Sequence, residues 1–305
     1  MTRRSAVWAV VAAAALFGTT GTAQELGPDA ATPLGVGTWR IAIGSVVLWL
    51  FARRPPRLVA LRRHHRVIAV GALGVAVYQP GFFVGTERSG VALGTIVALA
   101  SGPVFAGLLQ WMWFGRRPTR WWAIVTIVMV VGGVVVVAGR GGAATFSPLG
   151  IAASLSAGFG YALYAIATKT LIERGVHSTE ALAWQFSVGA AALSPLLVIE
   201  PSGWLTEPSG ALMAAHLGIL TVGVAYVLYG WGLRSLSTST AVTLTLAEPL
   251  TAALAAVVVL GERLAWFGWI GVATIIVGLV LAGREPVVDD RSARIVAGPP
   301  RSPAA

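Results

Sequence analysis

The sequence predicts an all-α, polytopic membrane protein with ten transmembrane helices arranged as two inverted five-helix repeats. Three observations carry this. Hydrophobic residues make up 56% of the 305 residues and charged residues only 11%, where a soluble domain carries roughly a quarter. The apolar residues fall in ten stretches of about the length that spans a bilayer. The two ends of the chain also match one another when one is shifted by 146 residues.

The ten stretches run approximately over residues 6–24, 34–52, 67–85, 91–114, 121–139, 148–169, 179–199, 211–233, 238–260 and 266–283. Short connections rich in Gly, Pro or charge separate them, such as Arg53-Arg54-Pro55-Pro56, Gly115-Arg116-Arg117-Pro118 and Gly261-Glu262-Arg263. The segment from Glu285 onward is rich in Pro, Asp and Arg and reads as a disordered tail. The first stretch has a second reading. Thr2-Arg3-Arg4, an Ala/Val run and Gly21-Thr22-Ala23 resemble a cleavable signal peptide. The repeat needs this stretch as its first member, so it is expected to be retained as a helix.

The charges sort by side. With a cytoplasmic N-terminus and ten spans, eighteen Lys and Arg fall on the inner side and three, Arg88, Arg140 and Arg263, on the outer. Basic residues concentrate in cytoplasmic loops, so both termini are expected in the cytoplasm. The net charge of +10 then belongs to loops facing lipid headgroups, above all residues 53–66, and not to a nucleic-acid surface. His64 and His65 are expected to be solvated in that loop. The chain has no cysteine, which excludes disulfides and thiolate metal sites. The spacing of His64, His65, His177 and His216 suggests no metal, and neither a phosphate-cradling Gly loop nor a nucleophile elbow is present. No catalytic residue, metal or cofactor is expected.

The internal match is most informative where the residue type is distinctive. Pro103 falls on Pro249, Gly115 on Gly261, Arg117 on Arg263 and Gly132 on Gly278, and Arg88 meets Arg234. At slightly smaller shifts Trp39 and Gly44 fall on Trp184 and Gly189, and Phe17-Gly18 on Phe159-Gly160. Five spans is an odd number, so the second half must enter the membrane from the opposite side. Inverted repeats let one site open to either face, although an old duplication without such use is the plainer reading. The halves are placed at 1–142 and 147–284, with the tail at 285–305.

The second copy carries Ala247-Glu248-Pro249, then an Ala/Val/Leu helix, then Gly261-Glu262-Arg263-Leu264, then Gly271 and Gly278. These residues, with their weaker counterparts in 90–139, resemble the end of the EamA repeat of the drug/metabolite transporter superfamily. The first copy departs from that pattern, reading Gly102-Pro103 without the Glu and Gly115-Arg116-Arg117-Pro118 at the turn. The resemblance implies a five-plus-five transporter fold in the plasma membrane. It also implies export of small metabolites such as amino acids; a monomer or a homodimer is expected. Import, exchange, or a membrane enzyme or assembly role are the alternatives.

Candidate site residues follow from polarity at depth. Tyr78 and Gln79 lie in the third span; Tyr161, Tyr164 and Thr168 share a face of the sixth; Tyr226 and Tyr229 share a face of the eighth; Thr245, Glu248 and Thr251 stripe the ninth. Buried hydroxyls and amides need partners, so these faces should point inward, either into packing or into a wet cavity. Pro103 and Pro249, each near mid-span, free a backbone carbonyl and are read as kinks or as gates. Arg40 and Gln185 occupy matching positions on opposite sides of the midplane, and Arg40 is suited to an anionic or zwitterionic substrate. Glu248 is the acidic residue deep in a span, and Arg40 is its available partner if the second and ninth spans are neighbours. Small residues at Gly271, Thr274, Gly278 and Ala282 of the last span suggest close packing within the bundle.

Overall fold

The computed structural model describes residues 2–52, 58–141 and 146–284. Among them there are helices and turns but no strand. Ten helices are long and apolar enough to cross a membrane. They are α1 (Arg3–Glu25), α2 (Pro33–Ala52), α3 (Leu58–Ser89), α4 (Val91–Phe114), α5 (Arg120–Gly139), α6 (Pro148–Glu173) and α7 (Ser178–Ile199), followed by α8 (Pro208–Leu233), α9 (Thr238–Val259) and α10 (Trp266–Gly283). A lipid medium offers no water to unpaired backbone groups, so helices that satisfy their own N–H and C=O groups are the natural solution.

Three helices differ from their sequence outline. The basic stretch expected as a loop is helical from Leu58, with a break in helical geometry at His64 (φ −120°). Leu61 turns inward onto a cluster with Val67, Ile68, Ala167 and Leu171, while Arg62, Arg63 and Arg66 stay exposed. Leu, Ala and Arg are good helix formers, and one buried edge is enough to extend α3. His65 is exposed as expected, but His64 is half-buried. Arg53, Arg54, Arg57 and the tail at 285–305 lie outside the described residues.

Helix α9 is broken at Thr245–Ala247, which form a tight 3₁₀ turn before the helix resumes at Glu248. Pro249 explains this. It has no N–H, and its ring clashes with the carbonyl four residues back, that of Thr245. The Thr245 carbonyl instead accepts the Glu248 N–H. Pro103, its counterpart in α4, leaves that helix continuous. In α8, residues His216–Val224 form wide π turns, and Gly218 and Gly223 lie against Ile43 and Val47 of α2.

Several helix pairings keep their form when the first five helices are exchanged for the last five. Helix α1 packs on α8 and α9, as α6 packs on α3 and α4; α2 packs on α8, as α7 packs on α3. The pairs α2–α7, α4–α9 and α5–α10 map onto themselves. Glycines make several of these crossings close enough. Gly44 and Gly189 face Val222 and Val75, Gly74 and Gly160 face one another's backbone, and Gly18 faces the backbone of Glu248. In α10, Gly271 and Gly278 seat against Gly132 and Met129 of α5, so the small-residue stripe is used inside the bundle.

A Cβ built on Gly18 would stand 2.6 Å from the Glu248 carbonyl oxygen and 2.7 Å from Thr251 Cβ, whereas one on Gly21 meets nothing within 4 Å. Gly18→Ala should therefore destabilise the detergent-solubilised protein by about 1–3 kcal/mol of overpacking, read as a lowered thermal midpoint. Gly21→Ala should leave the midpoint unchanged or raise it. Equal midpoints for the two variants would mean that α1 and α9 do not cross at Gly18.

Candidate functional site

The chain ends define two faces of the bundle. Arg3 at the start of α1 reaches the Ala282 carbonyl at the end of α10 with its Nη1, at 3.3 Å. That side is called here the terminal face, and the opposite side the far face. A cavity of about 250 Å³ runs from the far face to mid-bundle. Its mouth is set by Gln24 and Glu25 at the end of α1, Pro33 at the start of α2, Thr86 near the end of α3, Thr95 in α4 and Arg140 just after α5. Arg140 is held at the mouth by Glu262, Nη2 to Oε2 at 3.2 Å.

The floor is aromatic. Tyr78, Tyr161, Tyr164 and Tyr226 converge there, with ring centroids 6.0 Å apart for Tyr78–Tyr161, 5.1 Å for Tyr161–Tyr164 and 5.9 Å for Tyr164–Tyr226. Phe17 of α1 completes it, 5.1 Å from the Tyr226 ring. Three of the four hydroxyls are partnered. Tyr164 and Tyr226 share a hydrogen bond at 2.7 Å, and Tyr161 donates to Thr245 Oγ1 at 2.8 Å. The second bond ties α6 to the broken turn of α9.

Two opposite charges line the same cavity. Arg40 is 93% buried by its surroundings (7% exposed) and comes from α2; Glu248 is half-buried and comes from the restarted half of α9. Among the described residues, neither side chain makes a hydrogen bond or an ion pair within 4.0 Å. The Arg40 Nε has no hydrogen-bond partner. The sequence paired these residues on the premise that their helices were neighbours. Instead, α2 and α9 do not pack along one another. They meet across the cavity, with α1, α3, α4, α6 and α8 supplying the rest of its wall.

The remaining candidates have other positions. Gln79 points away from the cavity and donates to the Gly37 carbonyl at 2.9 Å, fastening α3 to α2. Gln185 is fully buried and donates to Thr168 Oγ1 at 3.1 Å, fastening α7 to α6. Tyr229 is fully buried in packing, its ring 6.2 Å from Tyr161, so the shared face expected with Tyr226 is split between cavity and core. Pro103 is buried, and Pro249 shapes α9 without lining this cavity. Phe82, Phe83 and Leu99 line the cavity and were not singled out by the sequence, being apolar residues among many. Phe17 carried a signal, its match to Phe159 in the repeat.

The terminal face is shut below this floor. Lys169 of α6 donates to the Leu233 and Leu236 carbonyls at 2.7 and 3.0 Å, capping the end of α8. Gln110 of α4 accepts the Ser239 N–H at 3.0 Å, and Thr126 of α5 bonds Thr243 of α9 at 2.9 Å. Helices α4 and α9 thus touch near the terminal face. Toward the far face, Thr95 and Leu99 of α4 and Ala252 of α9 line the cavity.

Comparison with known proteins gives this arrangement a context. The model of the EamA-like transporter family matches residues 4–139 and again residues 148–284. A protein of Bacillus subtilis described as uncharacterized transporter YwfM is 34% identical over 278 residues, which cover 91% of this chain and 93% of that protein. A protein of Streptantibioticus cattleyicolor described as a probable terminal-alkyne amino-acid exporter is 28% identical over 295 residues, covering 94% and 96%. A solved crystal structure at 23% identity has the same fold, with a TM-score of 0.78 over 92% of this chain and 97% of the other.

The Tyr164–Tyr226 pair makes a direct prediction. Removing one hydroxyl leaves the other without its partner and costs about 1–3 kcal/mol, whereas removing both is close to neutral. Tyr164→Phe and Tyr226→Phe should each lower the thermal midpoint, and the double variant should recover most of the loss. Strictly additive losses would show that the two hydroxyls are not coupled.

Proposed function

Since this chain belongs to the EamA-like transporter family, we propose that it is a secondary transporter that exports small metabolites such as amino acids by alternating access. The observation that carries this reading is the cavity itself. It reaches mid-bundle from the far face, and paired polar groups close the terminal face beneath it. With the basic residues on the cytoplasmic side, the far face is extracellular. The structure then corresponds to the outward-facing, substrate-releasing state of an exporter. The Streptantibioticus relative, described as a probable terminal-alkyne amino-acid exporter, supports the substrate class.

The inward-facing state follows from the exchangeable packing. If the halves are inverted repeats, each can adopt the arrangement now held by the other. The α4–α9 pair would then touch at its far end and part at its terminal end. The Lys169 clasp on α8 and the Gln110–Ser239 contact would open, giving the cavity floor to the cytoplasm. Arg40 and Glu248 sit on helices that face across the cavity, so their separation changes as it closes.

The absence of cysteine in the whole chain makes this testable. Gln110→Cys and Ser239→Cys, joined by a short reducible cross-linker, should hold the terminal face shut. In proteoliposomes loaded with a panel of amino acids and related metabolites, the linked protein should lose most of its efflux, and reductant should restore it. Efflux from the linked protein at the unlinked rate would contradict alternating access through this contact.

A further inference from the structure

Resting on the transport reading above, we infer that the transported molecule is a zwitterion that bridges the cavity, its carboxylate on Arg40 and its ammonium on Glu248. Two unlike charges facing one cavity normally close on each other, because a desolvated ion pair is better than two lone ions. Here they line the same cavity and have no ion-pair partner among the described residues. The other charged residues lining it, Glu25 and Arg140, sit at its mouth, and Arg140 is already paired with Glu262. Arg40 and Glu248 are therefore the charges available to a ligand deep in the cavity.

The reach is suitable. Arg40 lies seven residues beyond Pro33 in α2 and Glu248 eleven before Val259 in α9. At the helical rise this puts their backbones roughly 10 and 16 Å from the far ends of those helices, a depth difference of roughly 6 Å. An α-amino acid places its charged groups roughly 3 Å apart by covalent geometry. Adding a charge-assisted hydrogen bond of about 2.8 Å at each end spans roughly 8–9 Å, more than the depth difference between the two positions. A guanidinium offers a fork that fits a carboxylate. An ammonium near Glu248 would also meet the faces of the tyrosine floor, which attract cations. The apolar wall of Phe17, Phe82, Phe83 and Leu99 suits an uncharged side chain.

A molecule with only one of the two charges would leave the opposite protein charge unanswered, so discrimination should be strong. The test uses the full chain in proteoliposomes. The probe is the labelled neutral amino acid that gives the greatest counterflow in a panel of proteinogenic amino acids. Its amide, which lacks the carboxylate, and its des-amino acid, which lacks the ammonium, serve as unlabelled competitors. The wild type should require about ten- to a hundredfold more of either analogue than of the parent amino acid for half inhibition. In Arg40→Gln the disadvantage of the amide should disappear; in Glu248→Gln the disadvantage of the des-amino acid should disappear; Arg40→Lys should retain the wild-type order. Equal inhibition by all three compounds in the wild type would overturn the inference without any variant. So would a wild type that moves sugars, amines or carboxylic acids but no amino acid, which leaves the transport reading standing. A protein that moves nothing in the wider panel would overturn the transport reading as well.

Discussion

A charge inside a hydrocarbon slab must meet a counter-charge, a proton or water, and the architecture of this protein turns on that constraint. Arg40 and Glu248 are carried to depth by α2 and α9, which do not pack on each other. Neither has an ion-pair partner among the described residues. The cavity that both of them line is what makes them tolerable. Pro249 contributes directly. By breaking α9 at Thr245–Ala247 it places Glu248 in the first turn of a new half-helix, where the helix dipole favours a negative charge.

The rest of the bundle is organised so that this cavity can exist beside tight packing. Without a hydrophobic drive between helices in lipid, close contact depends on small residues. Gly18 lets α1 cross α9 at the backbone of Glu248, and Gly160 lets α6 cross α3 beside Tyr78. These glycines fall on one another in the internal match, and each sits beneath a residue of the cavity wall. Close crossings hold the wall rigid, while hydrogen bonds between side chains and helix ends shut the terminal face. Bonds of that second kind can be exchanged at modest cost, as the proposed alternating access requires.

Much of the fold was legible because lipid imposes simple rules. Length and apolarity located the ten helices, and the placement of Pro, Gly and Trp exposed the internal match. What local pattern could not reveal was the direction in which a polar side chain points. Gln79 and Gln185 look as suited to a site as Tyr78, yet they bond to the Gly37 carbonyl and to Thr168 and serve packing. Tyr226 and Tyr229 are one helical turn apart, yet only the first reaches the cavity. Phe82 and Phe83 were indistinguishable from lipid-facing residues until tertiary packing turned them inward. Arg40 and Glu248 stood out because a charge at depth has few innocent explanations. Their separation across a void, in place of a direct pair, required the arrangement of all ten helices.

In the proposed orientation the charged cavity opens to the outside while the cytoplasmic side is shut. A single cysteine at Ala252, on the cavity wall of the otherwise cysteine-free chain, reports this orientation. In intact cells a membrane-impermeant maleimide should label this cysteine from outside, and the transported substrate should protect it. Failure to label from outside, together with labelling in inverted membrane vesicles, would show that the cavity faces the cytoplasm and would contradict the account.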